Sequence, residues 1–430
     1  MGQTVKATAE EMAEFADLSL MVRLGRPREY IARYFRIEPE GGVGGEPMVA
    51  MRFDGEPNQG YYYEEMFGRK EWEGKHAGMK WEPWVVDVFC LKDRKARWTS
   101  YVAACLTAKM FAVPGTHVLW VVNAEDTFMV AHKFVDGFYR NMPEWAKPKV
   151  MGQSWGVEVK TVVFDLPGGG QMTSSFTVRT AGTPNVGSGV TPTDLVFDEY
   201  PKFPKTFSAE VQSSLRAALP ANGSIWRGGT VGPDGKDCIA YEEVQQYKKG
   251  LSQMDYLFRT WPQNPANRLE RGSRFRRPMD RLDEEMVCGV GGGPNCDAGG
   301  GVRERFPDDG MPWQWRIAWR RTEMRKAALA AGENADSDAR QDVTDILFQR
   351  EHCEDDASPW RIAGVSQFNL GLLQQQIGIA NAPENVLIKN ERTAHGLWWR
   401  SYRPYDPGHM YCAGTDLGSG QGGDDSAMII

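Results

Sequence analysis

The feature that most restricts this fold is the alternation of short apolar runs with helical stretches after residue 83. Trp84 to Leu91 and Thr116 to Asn123 are apolar enough to be buried strands. After the first, Thr99 to Phe111 has apolar side chains at every third or fourth position and ends before Pro114. Strands that alternate with helices in this way form a mostly parallel sheet covered by helices. The pattern therefore predicts an α/β core.

Two more core strands and one hairpin are predicted downstream. Thr193 to Asp198 and Gly223 to Trp226 have the composition of buried strands. Before them, Val157 to Leu166 and Gln171 to Thr180 flank a Pro-Gly-Gly-Gly turn. Two β-compatible runs around such a turn predict a β-hairpin added to the core.

Composition excludes several classes of protein. The chain has 430 residues and a net charge of −7, so nucleic-acid binding does not follow from bulk charge and any such contact must be local. Its seven cysteines are an odd number and form no disulfide framework, which favours a reducing compartment. Its apolar runs are far shorter than the roughly 18 residues that span a bilayer. We expect neither membrane insertion nor secretion.

The strongest chemical signal in the core is a strand that ends in two acids, Leu195-Val196-Phe197-Asp198-Glu199. Ligands of open α/β sheets bind at the carboxyl ends of the strands. In such a pair Asp198 can hold Mg²⁺ through water, and Glu199 can polarise the water that attacks a γ-phosphate. The alternative interpretation is a strand that ends in solvated acids.

A second signal lies at the earlier junction of strand and helix, from Lys92 to Ser100. A loop that opens a helix presents free N–H groups to phosphate, and Lys92 and Arg94 add positive charge. A hydroxyl at Thr99 or Ser100 can ligate Mg²⁺. The loop contains no glycine and departs from G-x-x-x-x-G-K-[ST], so a plain basic helix start is the alternative.

Together these segments resemble the large terminase subunit of tailed bacteriophages, the ATPase that packages DNA into proheads. That family often has a phosphate-binding loop of the form K-x-R-x-x-G-x-[ST]-[ST]. Lys92, Arg94, Thr99 and Ser100 match this form, and Arg97 stands where the family usually has glycine. A side chain at that position predicts either a loop that avoids positive φ or a weakened nucleotide site.

The resemblance continues along the chain in the family's order. Asp198 and Glu199 fall on its Walker B pair, the acids that hold magnesium and activate water. Gly228-Gly229-Thr230 resembles its coupling motif, in which a hydroxyl senses the γ-phosphate, although a simple turn is an equal alternative for Thr230. Phe348 to Glu354 resembles the segment that closes the ATPase region.

The end of the chain resembles the opening hairpin of the family's RNase H-like nuclease. Met410 to Thr415 and Ser426 to Ile430 are the predicted strands. Asp416 occupies the place of a nuclease metal ligand for Mg²⁺ or Mn²⁺, and Asp425 in the turn is a second candidate. Two-metal hydrolysis needs several converging carboxylates. We therefore predict no nuclease activity for these 430 residues.

The resemblance implies four regions and a set of partners. The expected regions are an N-terminal lead-in (1–80), a P-loop ATPase core (81–262), a helical or linker extension (263–405) and the start of the nuclease domain (406–430). The implied cofactors are ATP and Mg²⁺. The implied partners are double-stranded DNA, the portal protein, the small terminase subunit and further copies in a ring, in the host cytoplasm and without a membrane.

One further sequence feature and two rival functions have to be considered. An arginine-rich run between Arg268 and Arg281 could contact DNA phosphates independently of base sequence, or form a solvated loop or an interdomain salt network. An ATP-dependent helicase or remodeller shares the acidic strand but does not explain Asp416 in a hairpin. An inactive prophage remnant that only binds DNA or partners is the non-enzymatic alternative.

Overall fold

The protein is described by a computed structural model in which two compact units are distinguished, Met1–Gly364 and Val365–Ile430. The described residues are 7–37, 48–53, 57–68, 84–156, 158–182, 186–187, 189–204, 207, 209–264, 267, 313–330, 346–354, 356–360, 389–392, 398–401, 414–416 and 427–429. The arginine-rich run and Asp425 lie outside these residues. Within them, no helix has the length and apolar character needed to cross a membrane.

The N-terminal segment forms helices that pack on the core. Its elements are α1 (Ala9–Arg23), α2 (Arg28–Tyr34), β1 (Arg36–Ile37), β2 (Val49–Ala50) and α3 (Pro57–Tyr63). Thr8 begins α1 with a capping box, in which its hydroxyl accepts from the Glu11 N–H and the Glu11 carboxylate accepts from the Thr8 N–H. The sequence predicts a turn-rich segment around Tyr61-Tyr62-Tyr63, and this prediction is wrong. The segment is a helix, because burying Tyr62 edge-on against Trp98 at 5.0 Å stabilises it.

An eight-stranded sheet forms the centre of the first unit. Its strands are β3 (Asp87–Lys92), β4 (His117–Val122), β5 (Lys149–Trp155), β6 (Val159–Asp165), β7 (Gln171–Thr180), β8 (Asp194–Asp198), β9 (Ser224–Gly229) and β10 (Asp255–Arg259). Their order across the sheet is β10-β3-β9-β8-β4-β7-β6-β5. The first six are parallel, and β7-β6-β5 are antiparallel. The predicted mostly parallel sheet with an added hairpin is confirmed.

Helices cover both faces of this sheet. They are α4 (Trp98–Ala112), α5 (Glu125–Asn141), α6 (Ala209–Ala217) and α7 (Ile239–Lys248). A further helix, α8 (Trp313–Ala330), lies later in the chain, and its Trp319 stacks on Trp261. Alternate side chains of each strand belong to different cores: Trp120 packs in the core that contains α4 and α5, and Leu119 in the core that contains α6 and α7. Because α1, α2 and α3 also contact α4, nearly the whole helix is buried.

Two strands of the sheet were not predicted from the sequence. Lys149–Trp155 extends the hairpin at one edge, and Asp255–Arg259 pairs with β3 at the other. Edge strands are paired on one side only, and their apolar alternation is weaker. The sequence also predicts a helix from Val343 to Glu354, and among the described residues of that segment 346–351 are helical.

The second unit contains two antiparallel strand pairs within its described residues. β11 (Lys389–Arg392) pairs with β12 (Trp398–Ser401), and β13 (Gly414–Asp416) pairs with β14 (Ala427–Ile429). The latter pair is the hairpin predicted at the end of the chain, with Asp416 opposite Ala427.

Candidate nucleotide-binding site

Three neighbouring parallel strands end together at one edge of the sheet. In β8 Asp198 pairs with Gly228 of β9, and Gly229 pairs with Leu91 of β3. The residues that follow these strands therefore meet, although they lie far apart in the chain. This edge, at the carboxyl ends of the strands, is where open α/β sheets bind ligands.

The loop after β3 takes a left-handed backbone at two residues. Lys95 has a φ of 62° and Arg97 a φ of 61°, the region that glycine adopts without strain. Of the two alternatives predicted for Arg97, the structure excludes a loop that avoids positive φ, and a weakened nucleotide site stays a prediction. Arg97 is the N-cap of α4 and makes no capping side-chain bond, so the first N–H groups of the helix stay available to an anion.

A buried carboxylate holds this loop from beneath. Asp93 is fully buried, and its Oδ1 lies 2.7 Å from His352 Nδ1. Its Oδ2 accepts hydrogen bonds from Asn264 Nδ2 at 2.7 Å and Asn267 Nδ2 at 2.6 Å. Three side chains from later parts of the chain thus fix the position of Asp93 within the loop. Sequence reasoning missed Asp93, because nothing next to it in the chain predicts these partners.

The loop after β3 and the end of the acidic strand contact each other directly. Lys92 Nζ lies 3.1 Å from Glu199 Oε1, and Thr99 Oγ1 donates to Asp198 Oδ1 at 2.9 Å. Glu199 follows β8 with a left-handed φ of 54°. The backbone N–H and the hydroxyl of Thr230 donate to Glu199 Oε2 at 3.3 and 3.2 Å. The structure therefore brings together five of the predicted site residues, namely Lys92, Thr99, Asp198, Glu199 and Thr230.

Burial and neighbouring charges give Asp198 and Glu199 different pKa values. Burial raises the pKa of Asp198 to about 6, with the charge of Glu199 adding to the rise and Lys92 opposing it. Burial also acts to raise the pKa of Glu199, but Lys92 and Lys202 outweigh it and lower that pKa to about 2. Glu199 is thus a carboxylate at neutral pH, as an acceptor for the proton of a polarised water must be.

The other predicted loop residues, Ser100, Arg94 and Arg97, differ in their burial and in their partners. Ser100 is buried, where its hydroxyl donates to the Arg97 carbonyl at 3.0 Å and accepts from Gln59. The Arg94 side chain is 61% exposed and pairs with Glu351 at 3.4 Å. Arg97 is half-buried and, with Lys92, Thr99 and Ser100, lines a cavity of about 850 Å³ that extends over α5. This volume is within the usual range for small-molecule sites.

The donor set at the junction of loop and strand fits a magnesium ion better than a softer metal. Thr99 Oγ1 and Asp198 Oδ1 are adjacent oxygen atoms, and Mg²⁺ is typically held by one or two such protein ligands plus substrate phosphates. Among the described residues, no three His, Cys, Asp or Glu side chains form a metal cluster. The side chain of Asp416 lies outside the described part of the chain.

Comparisons with known proteins give a partial likeness. No protein-family model and no curated protein matches the sequence. Among solved structures, the bacteriophage HK97 large terminase aligns with a TM-score of 0.40 and 12% identity over 62% of this chain and 47% of that chain. The large terminase ATPase domain of Thermus phage P74-26 aligns with a TM-score of 0.33 and 16% identity over 46% and 85%.

A third neighbour is the large terminase of another thermophilic bacteriophage, in complex with ATP-gamma-S. It has a TM-score of 0.31 and 14% identity over 43% of this chain and 41% of that chain. This chain spans about half the length of the HK97 protein. These structural neighbours are phage large terminases, at low identity and partial coverage, so the function is inferred from the site itself.

Proposed function

We propose that this protein is an ATP hydrolase of the phage large-terminase type, in which hydrolysis drives translocation of double-stranded DNA. One observation carries the proposal: the cationic loop and the acidic strand end touch through the Lys92–Glu199 and Thr99–Asp198 contacts. A lysine, a hydroxyl and two carboxylates around one helix N-terminus are the groups that phosphoryl transfer from ATP requires. A plain structural ion pair does not require the hydroxyl and second carboxylate at the same edge.

Each residue has a proposed role in this reaction. Lys92 and Arg94 bind the phosphates, and the free N–H groups at the start of α4 add partial positive charge. Thr99 and Asp198 would hold Mg²⁺, which neutralises phosphate charge when bound, and buried Ser100 supports the loop.

Glu199 and Thr230 act on the opposite side of the phosphates. The Glu199 carboxylate accepts a proton from the water that attacks the γ-phosphorus, with its orientation held by Thr230. Thr230 also senses whether the γ-phosphate is present. Arg97 contributes a cation to the lining of the cavity.

The wider function rests on the sequence resemblance. We propose residues 81–262 as the ATPase core, 1–80 as the lead-in, 263–405 as an extension and 406–430 as the start of a nuclease domain. In that domain, Asp416 and Asp425 are the candidate metal ligands for Mg²⁺ or Mn²⁺. The proposed partners are DNA, a portal protein, a small terminase subunit and other copies in a ring.

The test is magnesium-dependent ATP hydrolysis by the purified chain and by Glu199→Gln. We expect the variant to lose at least about 100-fold in kcat, because the amide cannot accept the proton. Glu158→Gln is the matched control, since Glu158 is exposed and outside the site. Equal background rates in the wild type and Glu199→Gln would refute the proposal and favour a remnant that only binds.

A further inference from the structure

Alternating charges form a closed ring around the carboxyl end of β8. Lys92 contacts Glu199 Oε1 at 3.1 Å, and Lys202 Nζ contacts Glu199 Oε2 at 3.1 Å. Lys202 Nζ also lies 3.5 Å from Glu351 Oε1, and Glu351 Oε2 lies 3.4 Å from Arg94 Nη1. Since Lys92 and Arg94 belong to one loop, the chain of contacts closes.

Backbone hydrogen bonds fix the positions of Lys202 and Glu351, the two ring residues that the proposed function does not use. Lys202 ends a short 3-10 helix that begins after Glu199, and its N–H donates to the Glu199 carbonyl at 2.8 Å. The Arg94 N–H donates to the Glu351 carbonyl at 2.7 Å, and the next residue, His352, contacts Asp93. Glu351 is therefore fixed to the loop after β3, and Lys202 is fixed to the end of the acidic strand.

A bound nucleotide breaks some of the ion pairs in this ring and leaves others in place. On the proposed function, the triphosphate draws Lys92 and Arg94, because its negative charge competes with Glu199 and Glu351 for them. Lys202 follows the acidic pair in the chain and keeps the carboxylates of Glu199 and Glu351 as its partners. It then becomes the cation that fixes the direction of the Glu199 carboxylate.

We propose that Lys202 is a positioning residue that orients Glu199 in the nucleotide-loaded site, with Glu351 as its anchor. This inference rests on the proposed function and adds two residues to it. Lys202 acts through Glu199 and does not touch the nucleotide. Its side chain is 26% exposed and that of Glu351 31%, so water screens the contact only in part.

The test compares the kinetics of Lys202→Met and Lys202→Arg. We expect Lys202→Met to lower kcat about 10- to 100-fold while KM for ATP stays within about threefold, because a misdirected carboxylate affects the reaction more than binding. Lys202→Arg should recover most of kcat, since a cation is restored. Binding of a fluorescent ATP analogue with Mg²⁺ should be equal in all three proteins.

Two further variants separate positioning from a general loss of structure. Lys248→Met is the matched control, because Lys248, the last residue of α7, is an exposed lysine that pairs with Asp356 at 2.6 Å away from the ring. Its kinetics should equal those of the wild type. Glu351→Gln should lower kcat by about three- to tenfold without changing KM, because Lys202 loses its anchor.

These measurements can refute the positioning role of Lys202 separately from the proposed ATP hydrolysis. If the wild type hydrolyses ATP and Glu199→Gln does not, but Lys202→Met keeps kcat within about twofold, the positioning role alone is refuted. A rise in KM as large as the fall in kcat would also refute it, since Lys202 would then contact bound nucleotide. If the wild type shows no hydrolysis above background, both proposals fail.

Discussion

Removal of the Asp93 carboxylate should destabilise the protein through the loop that it supports. The side chain accepts hydrogen bonds from Asn264 and Asn267 and contacts His352, and all four residues are buried. Hydrogen bonds to a charged group contribute about 1.5–3 kcal/mol each. The desolvation of the carboxylate offsets part of that sum, and each buried donor that loses its partner costs about 1–3 kcal/mol.

We therefore expect Asp93→Ala to lower the free energy of unfolding by about 3–5 kcal/mol, because it leaves the three buried side chains of Asn264, Asn267 and His352 without this partner. Urea unfolding followed by tryptophan fluorescence measures this as a lower midpoint at an unchanged slope. Asp165→Ala is the control, since Asp165 is an exposed aspartate that bonds Gln171 on the same sheet. Its unfolding curve should overlay that of the wild type.

A double-variant cycle tests whether the loop and the distant segment stabilise each other. Asp93→Ala and His352→Ala together should destabilise the protein by about 1–3 kcal/mol less than the sum of the single changes, because both remove the same contact. Additive effects, or an Asp93→Ala loss below about 1 kcal/mol, would refute the view that Asp93 supports the loop.

Two other predictions concern the core. Burial, with Lys160 adding to it, lowers the pKa of His132 to about 4, below its ordinary value of 6.5. Unfolding therefore binds a proton as pH falls through this window, so stability decreases from about pH 6.5 to 4. His132→Phe should remove about 2–3 kcal/mol of that loss in urea titrations at pH 7 and 4.5, and an unchanged pH dependence would contradict this. Gly228→Ala would place a Cβ 2.3 Å from Trp98 Nε1, so it should cost about 1–3 kcal/mol and weaken nucleotide-analogue binding, whereas unchanged stability would contradict the close packing.

Much of the core was predictable because its signals are local. Apolar runs such as Leu195 to Phe197 can only be buried strands or buried helix segments, and their length and turns favour strands. The helical interpretation of Thr99 to Phe111 was also correct, and the structure begins the helix at Trp98. Its burial on nearly all sides was not predictable, because α1 to α3 cover it from elsewhere in the chain.

The candidate site was predictable where chemistry follows from chain position. Lys92 follows a strand and Asp198 ends one, and parallel strands place such residues at the same edge. The left-handed backbone at Arg97 was not predictable, because a non-glycine residue takes it only when surrounding contacts compensate for the strain.

The sequence by itself determined the α/β alternation, the cationic loop and the acidic strand, since each depends on side-chain spacing within about ten residues. Only the tertiary structure decided that Glu351 meets Lys202 across 149 positions and that His352 meets Asp93. Such pairs depend on the order of strands in the sheet and on which segment packs against the loop. Those arrangements minimise the free energy of the whole core, and no local pattern encodes them.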